Sequence, residues 1–109
     1  MADTLQPGAV TPLLTSFAVL YTVPAATKAV VALLRLVNTS GAAVTVRLCV
    51  VPSAGSPAVG NALLWDFSVA ANDFIDMGRG LSLPAEASVR ALASADSVVN
   101  LKLDVVESA

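Results

Sequence analysis

The chain contains no histidine in any of its 109 residues. That absence removes the commonest general base, the Ser-His-Asp and Cys-His arrangements and the HExxH zinc motif together. The sequence is therefore read as a non-enzyme, with no catalytic residue, cofactor or metal. A single cysteine, Cys49, excludes an intrachain disulfide and fits a reducing compartment. Charge is scarce, at 13% of residues, and the basic side chains are scattered singly. No basic stripe exists to hold phosphates, so no nucleic-acid partner is expected. Long apolar runs are missing too: the stretch from Ala29 to Leu34 is stopped by Arg35, far short of the ~20 residues a spanning helix needs. No membrane partner is expected. Met1-Ala2-Asp3-Thr4 lacks a basic segment leading into an apolar core, which predicts no secretory signal.

Against these shortages stands an excess, with 56% apolar residues and a mean hydropathy of +0.78. One domain of this size encloses roughly 60 to 70% of its unfolded surface. The surplus would leave a lone monomer with more contiguous apolar surface than soluble monomers usually carry. The expectation is a homo-oligomer, with a trimer favoured.

The apolar residues recur with period two, which reads as strand. Phe17, Val19, Tyr21 and Val23 fall on one face and Leu20 on the other, before Pro24 closes the strand. From Lys28 to Val37 the set Val30, Ala32, Leu34 and Leu36 alternates with Val31, Leu33, Arg35 and Val37. Two mostly apolar faces predict a central strand covered on both sides. Asn38-Thr39-Ser40-Gly41 matches a glycosylation pattern but reads as a turn. Beyond it Val44, Val46, Leu48 and Val50 oppose Thr45, Arg47, Cys49 and Val51.

A loop from Pro52 to Pro57 precedes Leu63, Trp65, Phe67 and Val69, whose shared phase makes Trp65 a core or interface anchor. Short strands follow at Phe74 to Met77 and Leu81 to Leu83, separated by a Gly78-Arg79-Gly80 turn. Val89 to Ala93 and Val98 to Val106 end the series, with Val99, Leu101, Leu103 and Val105 on one face. About eight strands at such spacing predict an all-β, single-domain β-sandwich, jelly-roll-like, over residues 13–109. Residues 1–12, with Pro7, Gly8 and Pro12, have little strand character and read as an N-terminal arm lying on a neighbour.

Candidate chemistry is thin. Asp66, Asn72, Asp73 and Asp76 are oxygen ligands without the DxDxDG spacing of a calcium loop, and read as solvated turn carboxylates. Cys49 reads as a buried small hydrophobe, and Leu103-Asp104-Val105, an integrin-type tripeptide, lies inside a regular strand. Arg35 and Arg47 sit in otherwise apolar strands, where a lone buried charge is costly. They are expected to meet carboxylates or carbonyls across an intersubunit seam. Exposed Pro52, Pro57 and Val59, with Pro7 and Pro12 of the arm, complete the candidate interface.

The run Leu20-Tyr21-Thr22-Val23-Pro24-Ala25, the turn Val37 to Gly41, Asp76 to Leu83 and Ala93 to Leu101 resemble small virion proteins of tailed bacteriophages. Ala26 stands where such proteins commonly have glycine. The resemblance spans roughly Leu20 to Val106 and implies a structural role on the virion, made in the bacterial cytoplasm. A capsid decoration (cement) protein bound to the major capsid protein is the implied role. A tail, baseplate or fibre component is the alternative. A carbohydrate-binding, lectin-like module is a reading from another class, and it needs an aromatic-lined pocket that strand-core aromatics would not supply.

Overall fold

A computed structural model describes residues 4–8 and 10–108. Among them, strands run Thr4–Pro7 (β1), Thr11–Pro12 (β2), Ala18–Thr22 (β3), Lys28–Asn38 (β4) and Val44–Val51 (β5). Ala62–Val69 (β6), Phe74–Met77 (β7), Ser82–Leu83 (β8), Ser88–Ala93 (β9) and Val99–Ser108 (β10) follow. Two antiparallel sheets pack face to face. Sheet A has the order β1-β10-β4-β7, with β2 also on β10 and β8 also on β4; sheet B has the order β3-β9-β5-β6.

Because β1 and β2 run along one strand, and β7 and β8 along another, each pair counts as a single interrupted strand. Eight positions remain, and their pairs nest as first with eighth, second with seventh, third with sixth and fourth with fifth. That nesting is the double Greek key of a jelly roll. The expected all-β sandwich is the observed fold.

The core lies between the sheets. Val99, Leu101, Leu103 and Val105 of β10 face it from sheet A, and Val44, Val46 and Leu48 of β5 from sheet B, with Val50 half-buried at the margin. Leu36 and Leu48 are wholly enclosed, and burying each such side chain stabilises by about 1.5 to 3 kcal/mol.

β4, β3 and β6 depart from simple alternation through bulges, one in each of the first two and two in β6. In β4, Val31 pairs with Val105 and Leu33 with Asp104, so Ala32 is an extra residue. The phase flips there: Ala29 and Val31 point inward before it, and Leu34, Leu36 and Asn38 after it. This corrects the strand covered on both faces, since Val30 is exposed and Leu33 and Val37 are half-buried. In β3, Leu20 is the extra residue between the pairs Val19 with Arg90 and Tyr21 with Val89. Val19 therefore turns to solvent while Tyr21 and Leu20 pack against the core. Of the two bulges in β6, the one at Trp65 and Asp66 shapes the site described below.

The described part of residues 1–12 is strand after all. Thr4–Pro7 and Thr11–Pro12 pair with β10, and their prolines are tolerated because an edge strand need not donate on both sides. Between them Gly8 is gripped, its N–H donating to Asp104 Oδ1 at 2.8 Å and its carbonyl accepting from Lys102 Nζ at 2.7 Å. A Cβ at Gly8 would sit 1.9 Å from the Leu103 carbonyl oxygen, so only glycine permits this approach. Leu13, buried, closes the segment through backbone bonds with Val99 and Ser97. Met1–Asp3 and Ala9 lie outside the described residues.

Polar pins tie the two sheets. At one end the Asn38 side chain, fully buried, donates to the carbonyls of Ala42 (2.8 Å), Val69 (3.1 Å) and Ala70 (3.1 Å) and accepts from the Ser40 N–H and hydroxyl. At the other end the Tyr21 hydroxyl of sheet B donates to the Glu107 carboxylate of sheet A. Burial first, and then the Glu107 carboxylate as acceptor and charge, push the Tyr21 hydroxyl well above its ordinary pKa, so it stays a donor.

Asn38→Ala is expected to cost about 2 to 4 kcal/mol, because it strands buried carbonyls without a donor; urea unfolding measures it. Ala26 occupies the left-handed region at φ 56°, a conformation costing an alanine roughly 1 to 2 kcal/mol. Ala26→Gly relieves that strain and gives back part of it as chain entropy. A melting temperature raised by a few degrees, on the order of 4 to 8 °C per kcal/mol gained, is expected by calorimetry.

Candidate functional site

Side chains that the core does not take up gather on the two outer faces, and each face is organised around one arginine. On sheet B, Arg47 of β5 stands in register with Leu92 of β9. On its other side β5 and β6 lose register: Val46 pairs with Phe67 and Leu48 with Leu64, so Trp65 and Asp66 together oppose Arg47. Asp66 takes the left-handed conformation, φ 54°, which short polar side chains tolerate better than most. The bulge re-aims both residues at one guanidinium. Arg47 Nε lies 2.6 Å from Asp66 Oδ1 and Nη2 3.2 Å from Oδ2, while the guanidinium carbon stands 4.1 Å over the Trp65 ring. Phe17 approaches the same indole, with ring centroids 6.4 Å apart and planes tilted by 31°.

Sheet A repeats the arrangement with different residues. A row across its outer face runs Lys102, Arg35, Asp76. Arg35 forks onto Asp76 at 2.6 and 2.9 Å and lies 4.7 Å over the exposed Phe74 ring. Arginine suits both positions because its planar group engages a carboxylate edgewise and an aromatic ring by its face at once.

The arginine hydrogen bond is the main cause holding both Asp66 and Asp76 below their ordinary pKa. Burial alone would push each of them up. The expected charge pairing is therefore present, but within one chain and in the open rather than across a seam: the Arg35 and Asp76 side chains are both 44% exposed. Arg35 and Arg47 also lie on opposite faces, so the candidate interface residues do not form one surface. Pro12 and the backbone of Pro7 sit on the β10 edge of sheet A; the Pro7 side chain lies outside the described residues.

Pro52, Pro57 and Val59 belong to the β5–β6 loop, where Pro57 is half-buried and Val59 is 69% exposed. Asn61 braces that loop by accepting from the Ala58 N–H and donating to the Ser56 carbonyl. Cys49 is buried beside it, its Sγ 3.6 Å from the Ala58 carbonyl. Burial pushes the Cys49 thiol pKa up, away from the reactive thiolate.

The aromatic side chains are where sequence phase misled most. Trp65, Phe67 and Phe74 are exposed rather than in the core; Leu64 packs inward in place of Leu63 and Trp65. Phe67 stands in register with buried Val46 yet remains 42% exposed, on an edge strand with nothing beyond it in the sheet. The left-handed Asp66 leaves no period-two signature, so alternation alone could not reveal the Trp65 platform.

Other candidates resolve locally. Asp66 and Asp76 serve arginines on opposite faces, and among the described residues no cluster of three or more metal-binding side chains occurs. Asp104 is engaged by Lys102 and Gly8. Asn38 is the buried last residue of β4, so the turn begins after it rather than at it. Among the described residues no helix is long and apolar enough to cross a membrane. No protein family, curated protein or solved structure matches this chain.

A titration follows from the Arg47 fork. Asp66 in the folded chain ionises below its ordinary value of 3.8. The pairing thus stabilises above that value and is lost as pH falls through the lower, folded one. Acidification should shift Trp65 emission with a midpoint below 3.8 while the protein remains folded by circular dichroism, and Asp66→Asn should abolish the shift.

Proposed function

We propose that the chain is a non-enzymatic structural protein of a tailed bacteriophage virion, acting as a capsid decoration protein that braces the outer shell. The observation that carries this reading is the apolar character of both outer faces. Val30 and Phe74 on sheet A, and Val19, Trp65 and Phe67 on sheet B, stay exposed although the core between the sheets is complete. Exposed apolar surface on a small domain marks contact with other macromolecules, and its presence on both sides suits a part set among neighbours. The resemblance of the Leu20 to Ala25 strand end and the Val37 to Gly41 turn to phage virion proteins supports the same role. Jelly rolls serve in capsids, lectins and cupins alike, so the faces carry the argument and the fold does not.

A tail or baseplate station would use the same faces. The exposed Trp65 also suits stacking on a sugar ring, the reading from another class. Cryo-EM and mass spectrometry of virions from the phage that encodes the chain should find it in many copies on the shell exterior. Density confined to the tail moves the assignment there. Absence from purified particles overturns it, and saccharide binding that Trp65→Ala removes would put the lectin-like reading in its place.

A further inference from the structure

One edge of sheet A is finished by a segment that the core does not hold. β10 has β4 on one side; on the other it takes β1 and then β2, with pairs running from Thr4 and Glu107 to Pro12 and Asn100. The described apolar side chains of this stretch stand in solvent, Leu5 at 56% and Val10 at 59% exposure, and Thr11 and Pro12 are exposed as well. What fastens it is backbone pairing and one clasp at Gly8. The Gly8 N–H donates to Asp104, its carbonyl accepts from Lys102, and Lys102 also reaches Asp104 at 2.8 Å. Leu13, the next residue, is different: it is 1% exposed and bonded through its backbone to Val99 and Ser97. Residues 4–12 can therefore leave β10 without drawing Leu13 out of the core, and the bend falls after Pro12.

We propose that residues 4–12 are a strap exchanged between two copies of this chain, each strap seating on the β10 edge of the other copy in the register it keeps on its own. The occupant is named by the fit. Against the Leu103 carbonyl the β10 edge admits only a residue without a Cβ, and Asp104 and Lys102 grip that residue's N–H and carbonyl. The strap of a second copy brings this glycine at the right place, which a strand of unrelated sequence does not. Every bond that β1 and β2 make within one chain is available between two, and exchange of identical elements is a low-cost route to a dimer. Extended, the strap spans about 30 Å, enough to lie along β10 of a copy set beside this edge. Without a strap the β10 edge stands open, as unpaired edges seldom do, so the exchange is reciprocal. This inference is independent of the virion reading.

Disulfide trapping on the full chain tests it. Leu5 opposes Val106, and directly opposed residues of an antiparallel pair have Cα atoms about 4.5 to 5.5 Å apart, within the range a disulfide bridges. Cys49 is buried, so each single variant presents one accessible thiol. Chains carrying Leu5→Cys and chains carrying Val106→Cys, produced together and oxidised in air, should yield a disulfide-linked mixed dimer that neither variant yields alone. Adding Gly8→Ala to both should reduce the mixed dimer at least about tenfold with circular dichroism unchanged, because the new Cβ unseats the strap and leaves the sandwich folded. Sedimentation of the unsubstituted chain should show a dimer at high concentration. Absence of the mixed dimer, a covalent dimer from one variant alone, a yield that Gly8→Ala leaves intact, or a chain that stays monomeric at every concentration overturns the proposal.

Discussion

One buried amide closes one end of this sandwich. A jelly roll must carry its chain repeatedly from one sheet to the other, and two of those passages, β4 to β5 and β6 to β7, meet at Asn38. The last residues before and after each crossing leave carbonyls that no ladder can satisfy, and burying them unpaired costs more than the net gain of an ordinary hydrogen bond. A side-chain amide offers two donors and a strong acceptor in one plane. Asn38 spends them all: its Nδ2 on the carbonyls of both crossings, its Oδ1 on the Ser40 turn. Backbone bonds from Asn38 to Asp73, from Thr39 to Val98 and from Asn72 to Ser40 then lock the neighbouring loops to the same point. The two sheets keep their relative placement because their connections share a partner.

With the crossings fixed, the bulges decide which side chains fill the core. Ala32 in β4 and Leu20 in β3 each add one residue against a partner strand, and an odd insertion moves every later side chain to the opposite face. β4 can then carry apolar residues in both phases from Ala29 to Leu34 while delivering Val31 and Leu34 to the same interior. A strand that looks covered on both sides is one whose phase has switched.

The same arithmetic explains what was legible in the sequence. Period two located the long strands well, because Val99 to Val106 alternate without interruption and Val44 to Leu48 do so until the phase breaks, with Cys49 and Val51 buried and Val50 half-buried; turns announced themselves through Ser40-Gly41, Gly78 and Gly80. Lost from view were features that exist only between strands. The Trp65–Arg47–Asp66 group depends on a left-handed residue whose side chain gives no periodic sign. The pairing of Thr4–Pro7 depends on β10 offering a free edge to a segment with weak strand propensity of its own. Ala26 is an intermediate case: the turn between β3 and β4 demands a positive φ there, which glycine adopts more readily than alanine, and alternation carries no sign of it.

The excess hydropathy follows from the same structure. A double layer of strands has one interior and two exteriors, and here the interior is filled from β4, β5, β9 and β10. Apolar residues beyond that supply cannot enter it, since cores are already close-packed and resist extra volume. They stand on the outer faces, where Arg35 and Arg47 each lie over a large aromatic ring with a carboxylate at the side. That grouping gives both faces a polar centre within an apolar surround, an arrangement that hydrates the centre of each face while Val19, Val30, Phe67 and Phe74 stay exposed around it.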